Sequence, residues 1–212
     1  MPNPSHIWQG FCSQLARWKT YTRAYTNNPY WPVILWLRES LFKTTATVAC
    51  KYLASGTVLD IGTGPGRLPV LLAETAPNVK CVGVDLELIL LHDAVKGASN
   101  RRCNDRVSFL MAAVQALPFV DQSFDMVLST MSLHQWRQRA EGVSELHRVL
   151  KNGGVALILV GRREIYPGKA WIFDFLTRKS AKYVAKLFQD AAFKNVEVTY
   201  PELMIIQIAS RR

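Results

Sequence analysis

From residue 57 onward, short apolar runs alternate with longer amphipathic stretches, and this alternation restricts the fold more than any other feature of the chain. The short runs predict strands, and stretches whose apolar residues recur every three or four positions predict helices. Strands are predicted at residues 57–60, 79–85, 106–110, 124–129 and 155–160. Helices are predicted between them at residues 68–74, 86–98 and 137–150. Such alternation is typical of a parallel sheet with helices on both faces, so we expect a doubly wound α/β protein.

The two ends of the chain add to this core. Residues 180–192 predict one more helix, and residues 195–200 and 203–209 predict two strands joined by a turn at Pro201. A connection this short can join only antiparallel strands. The sheet should therefore end in a hairpin. Two aromatic-rich helical patterns precede the core. We therefore expect one domain over 1–212, with an N-terminal helical lid at 1–54 and an α/β core at 55–212.

A glycine-rich turn follows the first strand of the core. The sequence Val58-Leu59-Asp60-Ile61-Gly62-Thr63-Gly64-Pro65-Gly66 joins a strand to a helix, and its glycines let the backbone come close to a ligand. Asp85 ends the second strand, where a carboxylate can bind both hydroxyls of a ribose. Together these features predict a site for a nucleoside-containing cofactor at the carboxyl edge of the sheet.

The details of the turn restrict which cofactor it can hold. A dinucleotide fingerprint that begins at Gly62 requires a third glycine at position 67, which is Arg67 here. Asp60, just before the turn, would repel a pyrophosphate but suits a ligand with a positive amino or sulfonium group. Nicotinamide and flavin dinucleotides are therefore not expected.

Further motifs follow the turn in order. They are VLDIGTGPG, VGVDLE, ALPF with SFDMV, SLH, and ELHRVLKNGG. In this order and spacing, residues 55–160 resemble the class I S-adenosylmethionine-dependent methyltransferases, in particular the subgroup that includes the ubiquinone and menaquinone biosynthesis methyltransferases. The resemblance implies a Rossmann-like, seven-stranded sheet with its last strand antiparallel. It also implies S-adenosylmethionine as cofactor and S-adenosylhomocysteine as product.

The resemblance further implies which residues hold the cofactor. Asp60 and the turn would surround its methionine part, Asp85 would bind the ribose, and Leu86 would lie against the adenine. Relatives usually carry an Asp four residues before Leu117, where this chain has Ala113. Adenine recognition must then use backbone groups or Gln115. The full set of expected cofactor residues is Asp60, Gly62, Thr63, Gly64, Gly66, Asp85, Leu86, Ala113, Val114, Ser129 and Thr130.

The acceptor side is less closely defined. His134 follows the fourth strand and is a candidate general base, because the pKa of a free imidazole lies near neutral; alternatively it caps or packs the next helix. The candidate acceptor-binding residues are Tyr21, Tyr25, Trp136, Tyr166 and Trp171. Methyl transfer is an in-line displacement that depends on alignment, so no metal site is expected. The expected activity is methyl transfer to a small aromatic or lipophilic acceptor.

The charge of the chain leaves two alternatives open. Lys and Arg number 26 against 16 Asp and Glu, and this net charge of +10 lies outside residues 51–150. Basic flanks of this kind permit an RNA substrate or another anionic partner, so an RNA methyltransferase is the first alternative. The second is a non-catalytic, cofactor-binding partner subunit, against which the intact glycine turn and Asp85 argue.

The remaining features concern the environment of the protein. The four cysteines form no CxxC pair, which indicates reduced thiols rather than a zinc or redox site. The start of the sequence lacks the pattern of a signal peptide, and no apolar run approaches the ~20 residues that span a bilayer. We therefore expect a cytoplasmic protein without a transmembrane segment, and the pattern predicts no particular oligomeric state.

Overall fold

The computed structural model describes residues 31–161, 180–199 and 205–212. The predicted helix before residue 31 lies outside these ranges. The described helices are α1 (Trp31–Tyr52), α2 (Arg67–Thr75), α3 (Leu88–Asn100), α4 (Arg139–Val149) and α5 (Ser180–Asp190). The strands are β1 (Gly56–Ile61), β2 (Val79–Asp85), β3 (Val107–Met111), β4 (Phe124–Thr130), β5 (Leu150–Gly161), β6 (Lys194–Thr199) and β7 (Ile205–Arg211).

The strands form one sheet in the order β3-β2-β1-β4-β5-β7-β6. Strands β1 to β5 pair in parallel, and β7 runs antiparallel to both β5 and β6. The direction of winding reverses between β1 and β4, and in such sheets ligands bind beyond the carboxyl ends of the strands at this point. The predicted α/β architecture with a parallel sheet is confirmed.

Alternate residues of each strand belong to two separate cores. Val58 of β1 packs in the core that α1 and α2 cover, whereas Leu59 and Ile61 pack in the core on the opposite face, which includes residues of α4 and α5. Because side chains alternate along a strand, Asp60 lies on the same face as Val58. The burial of both faces explains why these strands appear in the sequence as nearly continuous apolar runs.

One element boundary differs clearly from the prediction. Strand β5 begins at Leu150, five residues before the predicted start, because Leu150 already pairs with Phe124. The register then shifts before Met126 pairs with Val155. Gly153 lies within this irregular stretch and has a positive φ of 76°, a conformation that glycine adopts without strain. The glycine pair at 153–154 therefore interrupts a strand rather than preceding one.

Within the described ranges, no helix has both the length and the apolar character needed to cross a bilayer.

The amino ends of three strands are joined through one carboxylate. Asp125 Oδ2 accepts hydrogen bonds from Thr57 N at 2.8 Å and Thr57 Oγ1 at 2.9 Å, and Oδ1 accepts one from Lys151 Nζ at 2.8 Å. Burial alone would raise the pKa of Asp125, but the bonds from Lys151 and Thr57 outweigh it and hold the pKa below its usual value. The ionised carboxylate thus links β4 to β1 and β5 at the amino ends of the strands, opposite the glycine turn.

We expect Asp125→Asn to lower the free energy of unfolding by about 1–3 kcal/mol at pH 7, because charge-assisted bonds are lost from a partly buried acceptor. Since the pKa of Asp125 is lower in the folded chain than in the unfolded one, its contribution is complete above the ordinary value of 3.8 and is lost as the pH falls below it. Urea unfolding at pH 7 and pH 3 measures both effects. A deficit of equal size at the two pH values would contradict this account.

Candidate active site

The turn between β1 and α2 consists of glycines in an unusual backbone conformation. Gly62, Gly64 and Gly66 have positive φ angles of 70°, 54° and 73°. Glycine adopts these angles without the steric penalty that a side chain imposes. The N–H groups of Gly62 and Thr63 both donate to Val84 O, at 2.9 and 3.0 Å. The turn is therefore fastened to the end of β2.

The three glycines differ in what surrounds them. A Cβ on Gly62 would clash with Ser132 Cβ, and one on Gly66 would lie 2.6 Å from Phe109 Cζ. A Cβ on Gly64 would have no atom within 4 Å of it. Gly62 and Gly66 therefore allow close packing within the protein, whereas Gly64 leaves its backbone accessible to a ligand.

Asp85 is held in a fixed orientation at the end of β2. Its Oδ2 accepts a hydrogen bond from Gly64 N at 2.8 Å, and its Oδ1 accepts one from Glu87 N at 3.0 Å. An ionised carboxylate has about four lone-pair sites, so each oxygen keeps the capacity to accept another hydrogen bond. Asp85 can thus bind two neighbouring hydroxyl groups, as a ribose presents them.

Asp60 is buried on the same edge of the sheet, with only 2% of its surface exposed. Desolvation raises its pKa to about 7 and the nearby charge of Asp85 adds to this, while the Thr63 side chain acts in the opposite direction. Thr130 Oγ1, at the end of β4, is also buried and has no hydrogen-bond partner in the described part of the chain. A positively charged group at this edge would favour the ionised form of Asp60.

The SLHQW turn is tied to the glycine turn by Ser132. Ser132 Oγ donates to Ile61 O at 2.9 Å and accepts a hydrogen bond from Trp136 Nε1 at 3.2 Å. It also lies 2.7 Å from Ser129 Oγ, which must be the donor of that pair because the one Ser132 hydroxyl proton is already used. The Ser132 hydroxyl therefore links the end of β1 to the end of β4, in addition to the pairing of the two strands.

His134 lies in the short 3₁₀ turn Leu133–Gln135 and is exposed. Arg139 Nη2 donates to its carbonyl oxygen at 3.0 Å, and Arg139 Nε donates to Leu133 O at 3.2 Å. Partial burial lowers the pKa of the imidazole, and the positive charge of Arg139 lowers it further. Both effects favour the neutral imidazole, which is the form that accepts a proton. Its role as a base stays a prediction.

The other candidate acceptor residues have different positions. Trp136 is only 7% exposed and packs in the core with Val114, and a Cβ on Gly142 would lie 2.9 Å from its Cε3 atom. The structure thus places the indole below the turn rather than on an open surface. Tyr21, Tyr25, Tyr166 and Trp171 lie outside the described residues.

Exposed apolar side chains lie beside Asp85. Leu86 is 58% exposed and Met111 is 55% exposed, and Met111 is the residue of β3 that pairs with Asp85. Ala112 N donates to the main-chain oxygen of Asp85 at 3.2 Å, so the segment that carries Ala113 begins beside Asp85. Sequence reasoning missed both Met111 and Ser132. The available signal for Met111 was its position at the end of the strand that neighbours β2.

Among the described residues, no group of three or more His, Cys, Asp or Glu side chains is arranged to hold a metal ion.

Comparisons with known proteins agree with this geometry. The sequence profile of a methyltransferase domain matches residues 58–154. Demethylmenaquinone methyltransferase of Porphyromonas gingivalis is 31% identical over 136 residues, which are 63% of this chain and 56% of that protein. The ubiquinone/menaquinone biosynthesis C-methyltransferase UbiE of Citrifermentans bemidjiense is 38% identical over 108 residues, 50% of this chain and 45% of that protein. The chain spans about half the length of these curated relatives.

Solved structures share the fold. A SAM-dependent methyltransferase from Aquifex aeolicus superposes with a TM-score of 0.71 at 19% identity, over 87% of this chain and 94% of that one. A putative S-adenosyl-L-methionine-dependent methyltransferase from Methanococcus maripaludis gives a TM-score of 0.66 at 22% identity, over 82% and 86% of the two chains.

The matched residues 58–154 include the glycine turn, Asp85 and the Ser132 turn, and over them the chain is similar to a methyltransferase domain. The chain is also similar to demethylmenaquinone methyltransferase and to ubiquinone/menaquinone biosynthesis methyltransferases. The resemblance predicted from the five motifs is confirmed.

We expect Gly62→Ala to destabilise the protein by about 1–2 kcal/mol through its positive φ and by about 1–3 kcal/mol more through the clash with Ser132. Gly64→Ala is the matched control, since it has the same sign of φ and no crowding. Urea unfolding without ligand compares the two variants. Equal losses would show that the contact with Ser132 adds nothing.

The pKa of Asp60 predicts a second measurable effect. Because this pKa is higher in the folded chain, about 7, than the ordinary 3.8, the folded state binds the proton more tightly and its stability declines as the pH rises from about 4 to 7. Asp60→Asn removes the titrating group. We expect this variant to match the wild type near pH 4 and to be more stable at pH 8 in thermal unfolding without ligand. A stability difference that does not change with pH would contradict the assignment.

Proposed function

We propose that this protein transfers a methyl group from S-adenosylmethionine to a small aromatic or lipophilic acceptor and releases S-adenosylhomocysteine. The observation that carries the proposal is the pair of carboxylates at the ends of β1 and β2, on either side of the glycine turn. Asp60 is buried with a raised pKa, and Asp85 is oriented by Gly64 N and Glu87 N. The match of residues 58–154 to a methyltransferase domain supports the same reaction.

The cofactor fits the donor set at this edge. We assign the ribose to Asp85, the adenine to the exposed Leu86 with the backbone of Ala113 and Val114, and the methionine part to Asp60 and the turn. The turn contributes Gly62, Thr63, Gly64 and Gly66, and β4 contributes Ser129 and Thr130 by their backbone. When bound, S-adenosylmethionine supplies an electrophilic methyl group on a positively charged sulfur.

The task of the protein is then to align the acceptor and to remove a proton. Ser132 fixes the turn that carries His134 against the carbonyl of Ile61, so the candidate base is held next to the cofactor turn. Neutral His134 would accept the proton that leaves as the new bond to the methyl group forms. We assign Trp136 to the support of this turn, because its indole is bonded to Ser132 and buried.

The named relatives favour one class of acceptor. They are C-methyltransferases of ubiquinone and menaquinone biosynthesis, which indicates a reduced quinone ring methylated on carbon. With such an acceptor, the cofactor would supply the methyl group, and His134 would take up the proton that the methylated ring carbon loses. We further propose that residues 1–54 form a lid over the core and that Tyr21, Tyr25, Tyr166 and Trp171 contact the acceptor.

The cysteines support a reducing location. Among the described residues, Cys50, Cys81 and Cys103 are unpaired. Burial raises the pKa of Cys81 to about 12, which makes its thiol unreactive. We therefore propose that the protein acts in the cytoplasm.

The test combines binding and transfer. We expect the wild type to bind S-adenosylhomocysteine by isothermal titration calorimetry, and Asp85→Asn to bind about tenfold or more weakly, since bonds to a charged acceptor contribute about 1.5–3 kcal/mol. Asp93→Asn, exposed on α3, is the matched control and should bind as the wild type does. A folded wild-type protein that binds no S-adenosylhomocysteine would disprove the proposal.

Transfer is measured with methyl-labelled S-adenosylmethionine and three acceptors: a short-chain prenylated naphthoquinol, the matching benzoquinol, and total RNA. Label in either quinol supports the proposed acceptor class. Label in RNA alone, lost at high salt, would instead establish the RNA methyltransferase alternative, since such binding depends on phosphate contacts. Binding without transfer to any acceptor would favour the partner-subunit alternative.

A further inference from the structure

The loop that we assign to the adenine lacks an acidic side chain of its own. This adenine loop, defined here as residues 112–119, connects the end of β3 toward β4 and contains neither Asp nor Glu. If backbone groups recognise the base, their positions must be fixed by contacts elsewhere. This inference rests on the proposed function.

The first such contact comes from α4. Glu145 Oε2 accepts a hydrogen bond from Leu117 N at 2.8 Å. Arg148 binds the same carboxylate twice, from Nε to Oε1 at 2.6 Å and from Nη2 to Oε2 at 2.8 Å. This is the parallel, two-bond geometry in which arginine and carboxylate bind most strongly. Glu145 is thus held in place as it holds Leu117.

Arg148 also binds the loop directly. Its Nη2 donates to Leu117 O at 3.0 Å, and its Nη1 donates to Phe119 O at 2.7 Å and to Asp121 Oδ1 at 2.9 Å. The N–H and the C=O of Leu117 are therefore both bound by one ion pair. The side chains of Arg148 and Glu145 are only 30% and 20% exposed, so water competes little for these bonds.

The same helix supports the loop at a second point. Gly142 lies one turn before Glu145, and a Cβ there would lie 2.9 Å from Trp136 Cε3 and 3.3 Å from Val114 Cγ1. Val114 is consequently buried against α4, and Ala116 N donates to Ala113 O at 3.1 Å within the loop. Helix α4 thus holds the loop on both sides of Gln115.

We propose that Glu145 and Arg148 are positioning residues for adenine recognition. By fixing Leu117, they hold the backbone of Ala113 and Val114 in the orientation that contacts the base edge.

The test measures discrimination between bases. S-inosylhomocysteine differs from S-adenosylhomocysteine in carrying an oxygen in place of the exocyclic amino group. We expect the wild type to bind the adenosyl compound more tightly by calorimetry. In Glu145→Gln one carboxylate oxygen becomes an NH2 group, which cannot accept a hydrogen bond from Arg148, and in Arg148→Lys the two-bond geometry is lost. We expect each variant to reduce the ratio of the two Kd values by about tenfold, the effect of losing one charge-assisted bond.

Asp125→Asn is the matched control. This substitution also removes the charge from a carboxylate with backbone and side-chain partners, but at the amino ends of the strands, opposite the glycine turn. It should lower stability and leave the ratio unchanged. Wild-type ratios in both Glu145→Gln and Arg148→Lys, whatever their stability, would overturn the proposal. A wild type that binds neither nucleoside would overturn the proposed function itself, whereas one that binds both equally would overturn only the positioning role.

Discussion

The hydrogen bonding of β1 between β2 and β4 is the constraint on which the rest of the structure depends. Its parallel pairing brings Asp60 level with Gly83 on one side and with Leu128 on the other. Because all three strands run in the same direction, the groups that follow them meet at one edge. Three parts of the site are distant in the sequence: the glycine turn, Asp85 and the Ser132 turn. The pairing of β1 with β2 and β4 makes them neighbours.

This arrangement has an energetic cost at the same edge. Asp60 is a carboxylate that desolvation makes unfavourable to ionise, and Thr130 keeps a buried hydroxyl without a partner among the described residues. Polar groups left unsatisfied in this way are destabilising and concentrate at functional sites. At the opposite ends of the strands, both oxygens of Asp125 accept hydrogen bonds, from Thr57 and Lys151. The contacts at the amino ends of the strands thus stabilise the fold, whereas the polar groups buried at the carboxyl ends destabilise it.

The sequence predicted the parts of this molecule that depend on local patterns. Strand and helix positions follow from apolar periodicity, and the glycine turn and Asp85 lie together because each follows a predicted strand. The prediction for the start of β5 was wrong by five residues, because pairing of Leu150 with Phe124 outweighs the turn tendency of the glycine pair.

Contacts between distant residues could not be predicted. Ser132 binds the carbonyl of Ile61, 71 residues away, and Glu145 binds Leu117, 28 residues away. A serine before a turn and a glutamate on a helix carry no signal of such partners. Trp136 packs against Gly142, where a side chain would crowd the indole. The sequence alone does not show why position 142 needs a glycine.

The exposed Leu86 and Met111 have a thermodynamic consequence. More than half of each side chain faces water beside Asp85, where the base of the proposed cofactor would cover it. Removing apolar surface from water lowers the heat capacity of the system, so nucleoside binding should become more exothermic as the temperature rises. Two exposed side chains would thereby give this binding site a calorimetric signature that its charged groups alone do not produce.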